Sequence, residues 1–540
     1  MKCYYSLFLV SLVTIAGFSI PLHAEQPSSA TPIEQVVDFY IDQQLKEEKI
    51  TPSGSADDAT IIRRLTLDLI GRIPTPAETA SYVSSNAPDK LKLKVESLLA
   101  SPAFSRHLGN DLNTMLMAGN PGSIRDYLVK SIQARQSWDQ IYRTLMTPDE
   151  ANADQKGASD FLKQRLSDGD KLTSDISSLF FGVNMSCARC HDHPLVQDWK
   201  QDHFYGMKSF VARTFDNGGS LAEHDIGLVK FKTTKGVEKK AQMMFITGKV
   251  IDHPSIREPK DDDLKKEKEL IEKHKKDKTQ LPTPAFSSRK TLVEVSLQKE
   301  QRDFFARSIV NRMWYRMFGT GLVMPLDQMH SENPPSHPEL LEWLARDMAD
   351  HGYDIRRLIR GLVLSKAYSR SSKWTGGSER PIPSLFAVAP VKALTPMQLA
   401  VSLKIASTDP DRFSKGKPEE IEKTIDGIEQ NARGFADLIE QPTEDFQIGV
   451  GEALLFSNND RPFQEFLAEG GDKLVSRLTK AKSPRETVEL AVRSILCRNP
   501  DPEELNALEK FLSQRQARNL EACRQVVWAL LTSPEFRFNH

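Results

Sequence analysis

Apolar residues in this chain recur at helical spacing, and that periodicity limits the fold more than any other feature. Ile33, Val36, Val37, Tyr40, Ile41 and Leu45 fall at i, i+3, i+4 and i+7, one face of a 3.6-residue period. Ile61 to Ile70 repeats the stripe, and Leu91, Val95, Leu98 and Leu99 do so again. Helix starts are marked by capping chemistry. Thr75-Pro76-Ala77-Glu78 supplies a capping Thr, a first-turn Pro and a Glu three residues on. Asp501-Pro502-Glu503-Glu504 does the same, and Ser336 with Glu339 reads as a further box. The expected class is mainly α.

At 540 residues the chain is long enough for about three domains. It is 39% apolar and 27% charged, which excludes a fully disordered chain, a collagen-like chain and a polytopic membrane protein. Lys+Arg is 72 against 73 Asp+Glu, so no net charge draws it to nucleic acid. Residues 1–24 read as a secretory signal: Lys2, an uncharged apolar run from Tyr4 to Ile20, then Leu22-His23-Ala24. The mature chain is expected to begin near Glu25, exported to the periplasm or cell envelope. No later run reaches the ~20 apolar residues of a spanning helix, so no transmembrane segment is expected in the mature chain. Four cysteines then remain: Cys187, Cys190, Cys497 and Cys523. In an oxidising compartment such residues form disulfides or carry a covalent cofactor. Cys497 and Cys523 lie on predicted C-terminal helices, as a pair or as buried free thiols.

The caps expose a weak internal repeat. Gly71-Arg72-Ile73-Pro74-Thr75-Pro76-Ala77-Glu78 leads to Ser101-Pro102-Ala103-Phe104. Arg498-Asn499-Pro500-Asp501-Pro502-Glu503-Glu504 leads to Ser533-Pro534-Glu535-Phe536. Duplication and the reuse of capping residues both account for it. Between the helical halves, Gly227–Thr234 and Ala241–Val250 alternate or are β-branched around Lys235-Gly236, which suggests a small hairpin. Arg257–Lys278 follows, with nine positive and eight negative residues, as a solvated helix or linker. The expected organisation is a signal peptide at 1–24 and an N-terminal helical domain at 25–215. A variable β-containing charged insert at 216–287 and a C-terminal helical domain at 288–540 complete it.

Cys187-Ala188-Arg189-Cys190-His191 carries the chemistry. Cys-x-x-Cys-His is the attachment pattern of c-type haem. On a helix, i, i+3 and i+4 share a face, so two thiols meet the two vinyl groups while His191 reaches iron from the same side. Ile176, Leu179, Phe180, Phe181, Val183 and Met185 precede it, apolar enough for one face of a macrocycle and equally for a core helix. His193, His203 and Met207 are the candidates for a second axial ligand. Three other readings stay open: a disulfide or redox dithiol, an inert structural pair, and a zinc or iron site using Cys187, Cys190, His191, His193 and His203.

The surrounding residues resemble the planctomycete-type cytochrome-c-domain family, large exported proteins built from two paired domains of unknown function. Asp57-Asp58-Ala59-Thr60-Ile61-Ile62-Arg63-Arg64-Leu65-Thr66-Leu67-Asp68-Leu69-Ile70-Gly71 matches its N-terminal part, and Cys187-Ala188-Arg189-Cys190-His191-Asp192-His193-Pro194 its signature. Phe305–Trp314, Phe318–Leu322, Pro334–Ala345 and Trp528–Phe536 with Asn539-His540 resemble the second domain and the ending. The resemblance implies haem and leaves the activity open.

The leading expectation is an exported c-type haem protein in electron transfer or haem-dependent redox chemistry. Its partner would be a redox protein or another envelope component. Two alternatives stand beside it: a haem-free envelope binding or scaffold protein, and a metal-dependent hydrolase using His191, Asp192, His193 and His203. Asn311, Arg312 and Trp314 match the family and read equally as packing residues. Ser336, His337 and Glu339 are too close in sequence to face one another as a triad.

Overall fold

The computed structural model describes residues 26–277, 279, 281–442, 450–458 and 460–540. The signal segment expected over 1–24 lies outside the described residues, as does Lys278 at the end of the charged run. The fold is mainly α, with only two-stranded sheets among the described residues. No helix of the described residues is long and apolar enough to cross a membrane.

The stripes become helices Ile33–Glu47, Asp58–Ile70 and Lys90–Ala100, with Ile33, Val36, Val37, Ile41 and Leu45 buried on the first. Buried apolar side chains gather into two clusters. The larger spans Ile33 to Ala387, so helices on both sides of the charged insert share it. The smaller spans Leu394 to Phe536 and reaches back to Leu67 and Ile73.

The Asp58–Ile70 helix departs from its expected amphipathic pattern. Every residue from Ile61 to Ile70 is buried, Arg63, Arg64 and Asp68 included. The helix runs between the two clusters, so from Ile61 onward it has no solvent face. Its buried arginines are held by hydrogen bonds to backbone carbonyls. Arg63 Nη2 donates to Phe536 O at 3.0 Å, and Arg64 donates to the carbonyls of Tyr368, Arg370 and His540. The strand Lys392–Ala393 pairs antiparallel with Phe538–Asn539, which brings the last described residues to this helix.

The Thr75 box forms as expected. Glu78 N donates to Thr75 Oγ1 at 3.2 Å and Thr75 N to Glu78 Oε2 at 2.8 Å. Asp501 caps its helix through Glu504 N at 2.8 Å. The Ser336 box does not form. Pro338 occupies the first helical position, so the cap is His337, and Ser336 N instead donates to Leu322 O at 2.7 Å.

The insert holds three hairpins in series where one was expected: Thr214–Asn217 pairs with Ser220–Glu223 at its start, ahead of two more. Lys230–Lys232 pairs with Glu238–Lys240, and Met243–Met244 with Val250–Ile251. The turn over Thr233–Val237 is tight enough to close on its nearest partner, so the second apolar stretch folds on itself. Asp261–Asp277 is a helix with no buried residue, which satisfies the solvated reading of the charged run.

Candidate functional site

The helix Gly169–Phe181 leads into the Cys-x-x-Cys-His segment. Asp168 caps it, accepting from Asp170 N and Lys171 N at 3.0 Å. Its apolar residues are committed to the core: Phe180 packs on Tyr142 with ring centroids 4.7 Å apart and on Trp138 at 5.8 Å. Gly182 ends the helix. Val183 then bridges Gln328, Asn184 N donates to Asp327 O at 2.7 Å, and Met329 N to Gly182 O at 3.0 Å. A loop from the second half of the chain thus holds the segment from behind.

Cys187 lies on a single 3-10 turn, Ser186–Arg189, and Cys190 caps its end, rather than both lying on the α-helix the sequence suggested. The helix has already ended, and Asn184 Oδ1 accepts from Ser186 N at 3.1 Å to start the tighter turn. Cys190 N donates to Cys187 O at 3.4 Å, so the two cysteines stand one tight turn apart. Both are exposed free thiols, while Ala188 between them is buried. Cys190 lies beside the Arg189 guanidinium and is the main reason the arginine's pKa is raised.

Residues of the next helix, Gln201–Ser209, pin the turn. Gln201 Nε2 donates to Cys190 O at 3.0 Å and Arg189 O at 3.3 Å, and Tyr205 OH donates to Arg189 O at 3.1 Å. Asp192 Oδ1 accepts from Gln201 N at 3.0 Å. His191 is exposed, and its Nδ1 lies 2.7 Å from Asp192 O. A carbonyl can only accept, so Nδ1 carries the proton and Nε2 holds a free lone pair.

The candidate second ligands are placed differently. His193 Nδ1 accepts from Val196 N at 3.0 Å and Leu195 N at 3.3 Å. Its pKa is lowered by burial and then by His330 and His191. His203 Nδ1 accepts from Lys200 N at 3.3 Å at the start of its own helix, and burial lowers its pKa too. In both rings the free proton therefore sits on Nε2. Met207 is 2% exposed, packed in the larger core. Among the described residues, no group of three or more His, Cys, Asp or Glu is placed to hold a metal ion.

His330 is the residue the sequence reading missed. It comes from the loop behind the turn, where the neighbouring Ser331 donates through N to Asp198 Oδ2 at 2.9 Å. Its separation from the signature left no local signal. Cys497 and Cys523 are buried free thiols; Cys497 lies beside Pro74 O and Arg63, and Cys523 beside Asn519.

The other nominated residues separate by role. Asn311 clamps Val323 through both backbone groups, at 2.9 and 3.0 Å. Trp314 stacks on Phe318 with centroids 4.3 Å apart. Arg312 borders a cavity of about 860 Å³. His337 is buried, which pushes its pKa down to about 4, whereas Glu339 is exposed. That difference removes any triad.

Residues 36–216 match the family model PSCyt2, a protein of unknown function (DUF1549). Residues 288–445 match PSD1, a protein of unknown function (DUF1553). The chain thus carries two paired domains of unknown function, which fits the planctomycete-type family its motifs resemble. No curated protein and no solved structure matches it.

Proposed function

We propose that this chain, built on the DUF1549 and DUF1553 pair, is an exported cell-envelope protein that carries a c-type haem on its Cys187–Cys190–His191 turn and serves in electron transfer. The observation that carries the reading is the His191 tautomer. Its Nδ1 is held by Asp192 O at 2.7 Å, which leaves Nε2 as the ligating nitrogen beside two exposed thiols one turn apart. A hydrogen bond from the far ring nitrogen to a carbonyl fixes the orientation of a metal-bound imidazole. Covalent attachment adds each S–H across a vinyl C=C, so no atom is lost and no oxidant is needed.

When bound, the haem supplies a one-electron couple. The protein's own residues position it. Gln201 and Tyr205 hold the backbone of the turn, and the loop carrying Asp327 and Met329 holds it from behind. Exposure of the turn suits contact with a redox partner protein.

The test is expression of the full chain in a host with cytochrome c maturation machinery. The expected results are a haem adduct of roughly 616 Da in the intact mass and a pyridine haemochrome band, both lost in Cys187→Ser/Cys190→Ser. Colourless protein without the adduct, from a host that matures a control cytochrome, would overturn the reading.

A further inference from the structure

We propose that the cavity between the two family-matched segments binds a small organic anion, with its oxyanion head on Arg312 and Arg316. The cavity measures about 860 Å³, within the usual range for small-molecule sites. Neither cysteine of the signature nor His191 lines it, so the inference is independent of the haem reading.

Arg312 and Arg316 sit four residues apart on the helix Asp303–Phe318, hence on one face. Each guanidinium is partly engaged. Arg312 Nη2 donates to Ser178 O at 2.7 Å. Arg316 donates through Nε to Asp111 Oδ2 at 2.7 Å and through Nη2 to Asp68 O at 3.0 Å. Two buried nitrogens, Arg312 Nε and Arg316 Nη1, have no hydrogen-bond partner among the described residues. Buried donors are normally satisfied, and both arginines line the cavity, so an oxygen acceptor bound there would complete them.

The charge around the cavity agrees. Four cations line it: Arg312, Arg316, Arg380 and Lys392. Asp111 pairs with Arg316, and Asp68 pairs with Lys392 at 2.7 Å. Arg312 and Arg380 have no carboxylate within ion-pair distance among the described residues. Burial lowers the Arg312 pKa to about 10, with only Asp327 opposing it. The remaining wall includes Leu112, Met313, Phe318, Met324 and Ile382. This space exceeds one inorganic ion and suits an apolar body attached to the charged head.

Calorimetric titration of the full chain tests this. The probes are naphthalene-2-carboxylate, naphthalene-2-sulfonate, neutral 2-naphthalenemethanol and inorganic sulfate. The expected result is one saturable site where at least one naphthalene anion binds about tenfold or more tighter than the alcohol. Inorganic sulfate competes more weakly, and which anion binds best separates planar from tetrahedral heads. Arg312→Met, with folding checked by circular dichroism, should weaken anion binding about tenfold or more. Arg380→Ala at the exposed rim should weaken it less and provides a variant outside the core. No saturable binding, equal affinity for anions and alcohol, or unchanged affinity in folded Arg312→Met would overturn the proposal. Should Arg312→Met not fold, the ratio of anion to alcohol on the unaltered protein decides.

Discussion

Lys392 Nζ lies 2.7 Å from Asp68 Oδ1, a buried ion pair between segments matched by two different family models. Tyr368 OH and Asn539 Nδ2 also donate to the Asp68 carboxylate, each at 2.9 Å. Lys392 donates in turn to the Arg316 and Met317 carbonyls. Removing Lys392 leaves the buried Asp68 carboxylate with hydrogen bonds but without its ion-pair partner. Lys392→Met should cost roughly 3–5 kcal/mol in urea unfolding. The double variant Asp68→Asn/Lys392→Met should recover part of that loss. A single variant as stable as the unaltered chain would show that the pair does not join the two segments.

Acid sensitivity should arise partly at His107. Burial is the main reason its pKa is lowered to about 4, and nearby Arg316 adds to it against Asp111. An unfolded histidine titrates near 6.5, so the unfolded chain binds the proton first. The contribution to stability is therefore complete above about pH 6.5 and is lost as pH falls toward 4. The full shift corresponds to about 3 kcal/mol. Chemical denaturation from pH 7 to 4 should show a shallower decline in His107→Gln. His337, also pushed to about 4 by burial, accounts for part of the remaining slope. An identical slope in the variant would remove His107 from this account.

His107 also explains why Gly71 is required. Gly71 has φ +73°, and an added Cβ would lie 2.5 Å from His107 Nδ1. Gly119 has a similar φ of +77° with nothing within 4 Å. Gly119→Ala should therefore cost only the left-handed strain, ~1–2 kcal/mol. Gly71→Ala adds a collision in a packed site and should cost ~3 kcal/mol or more by the same unfolding assay. Equal costs would mean that the His107 ring moves aside freely.

The repeat shows what was legible in the sequence. Arg72 pairs with Glu78 at 2.7 Å, and Arg498 with Glu504 at 2.8 Å. Burial favours protonation of Glu78, but Arg72 overrides it and holds the carboxyl at about 2. Ser101 Oγ accepts from Phe104 N, and Ser533 Oγ from Phe536 N, both at 3.2 Å. Ser101→Ala and Ser533→Ala should each cost ~1 kcal/mol in thermal or urea unfolding. A third copy, Ser365 with Tyr368 N at 3.2 Å, escaped the reading because Lys366 replaces the proline and Tyr the phenylalanine. Caps and stripes are local, so sequence spacing encodes them. Burial of the Asp58–Ile70 helix on all sides is not local: it depends on Arg63 meeting Phe536 and Asp68 meeting Lys392, hundreds of residues away. The docking of His330 behind the signature turn and the closing of the cavity around Arg312 and Arg316 by distant segments are hidden for the same reason.

The four described cysteines should react in two classes. Cys187 and Cys190 are exposed on their turn, whereas Cys497 and Cys523 are 1% and 0% exposed. Burial also raises both inner thiols, Cys523 to about 11, and alkylation needs the thiolate. Iodoacetamide at neutral pH should therefore modify only the outer pair on folded, haem-free protein. All four should react in guanidinium, as peptide mass mapping would show. Modification of Cys497 or Cys523 at the same rate as the outer pair would contradict their burial. Protein matured with haem should leave Cys187 and Cys190 unmodified even when unfolded, because a thioether has no sulfur left to alkylate readily. Full labelling of all four residues in such protein would place the attachment elsewhere or exclude it.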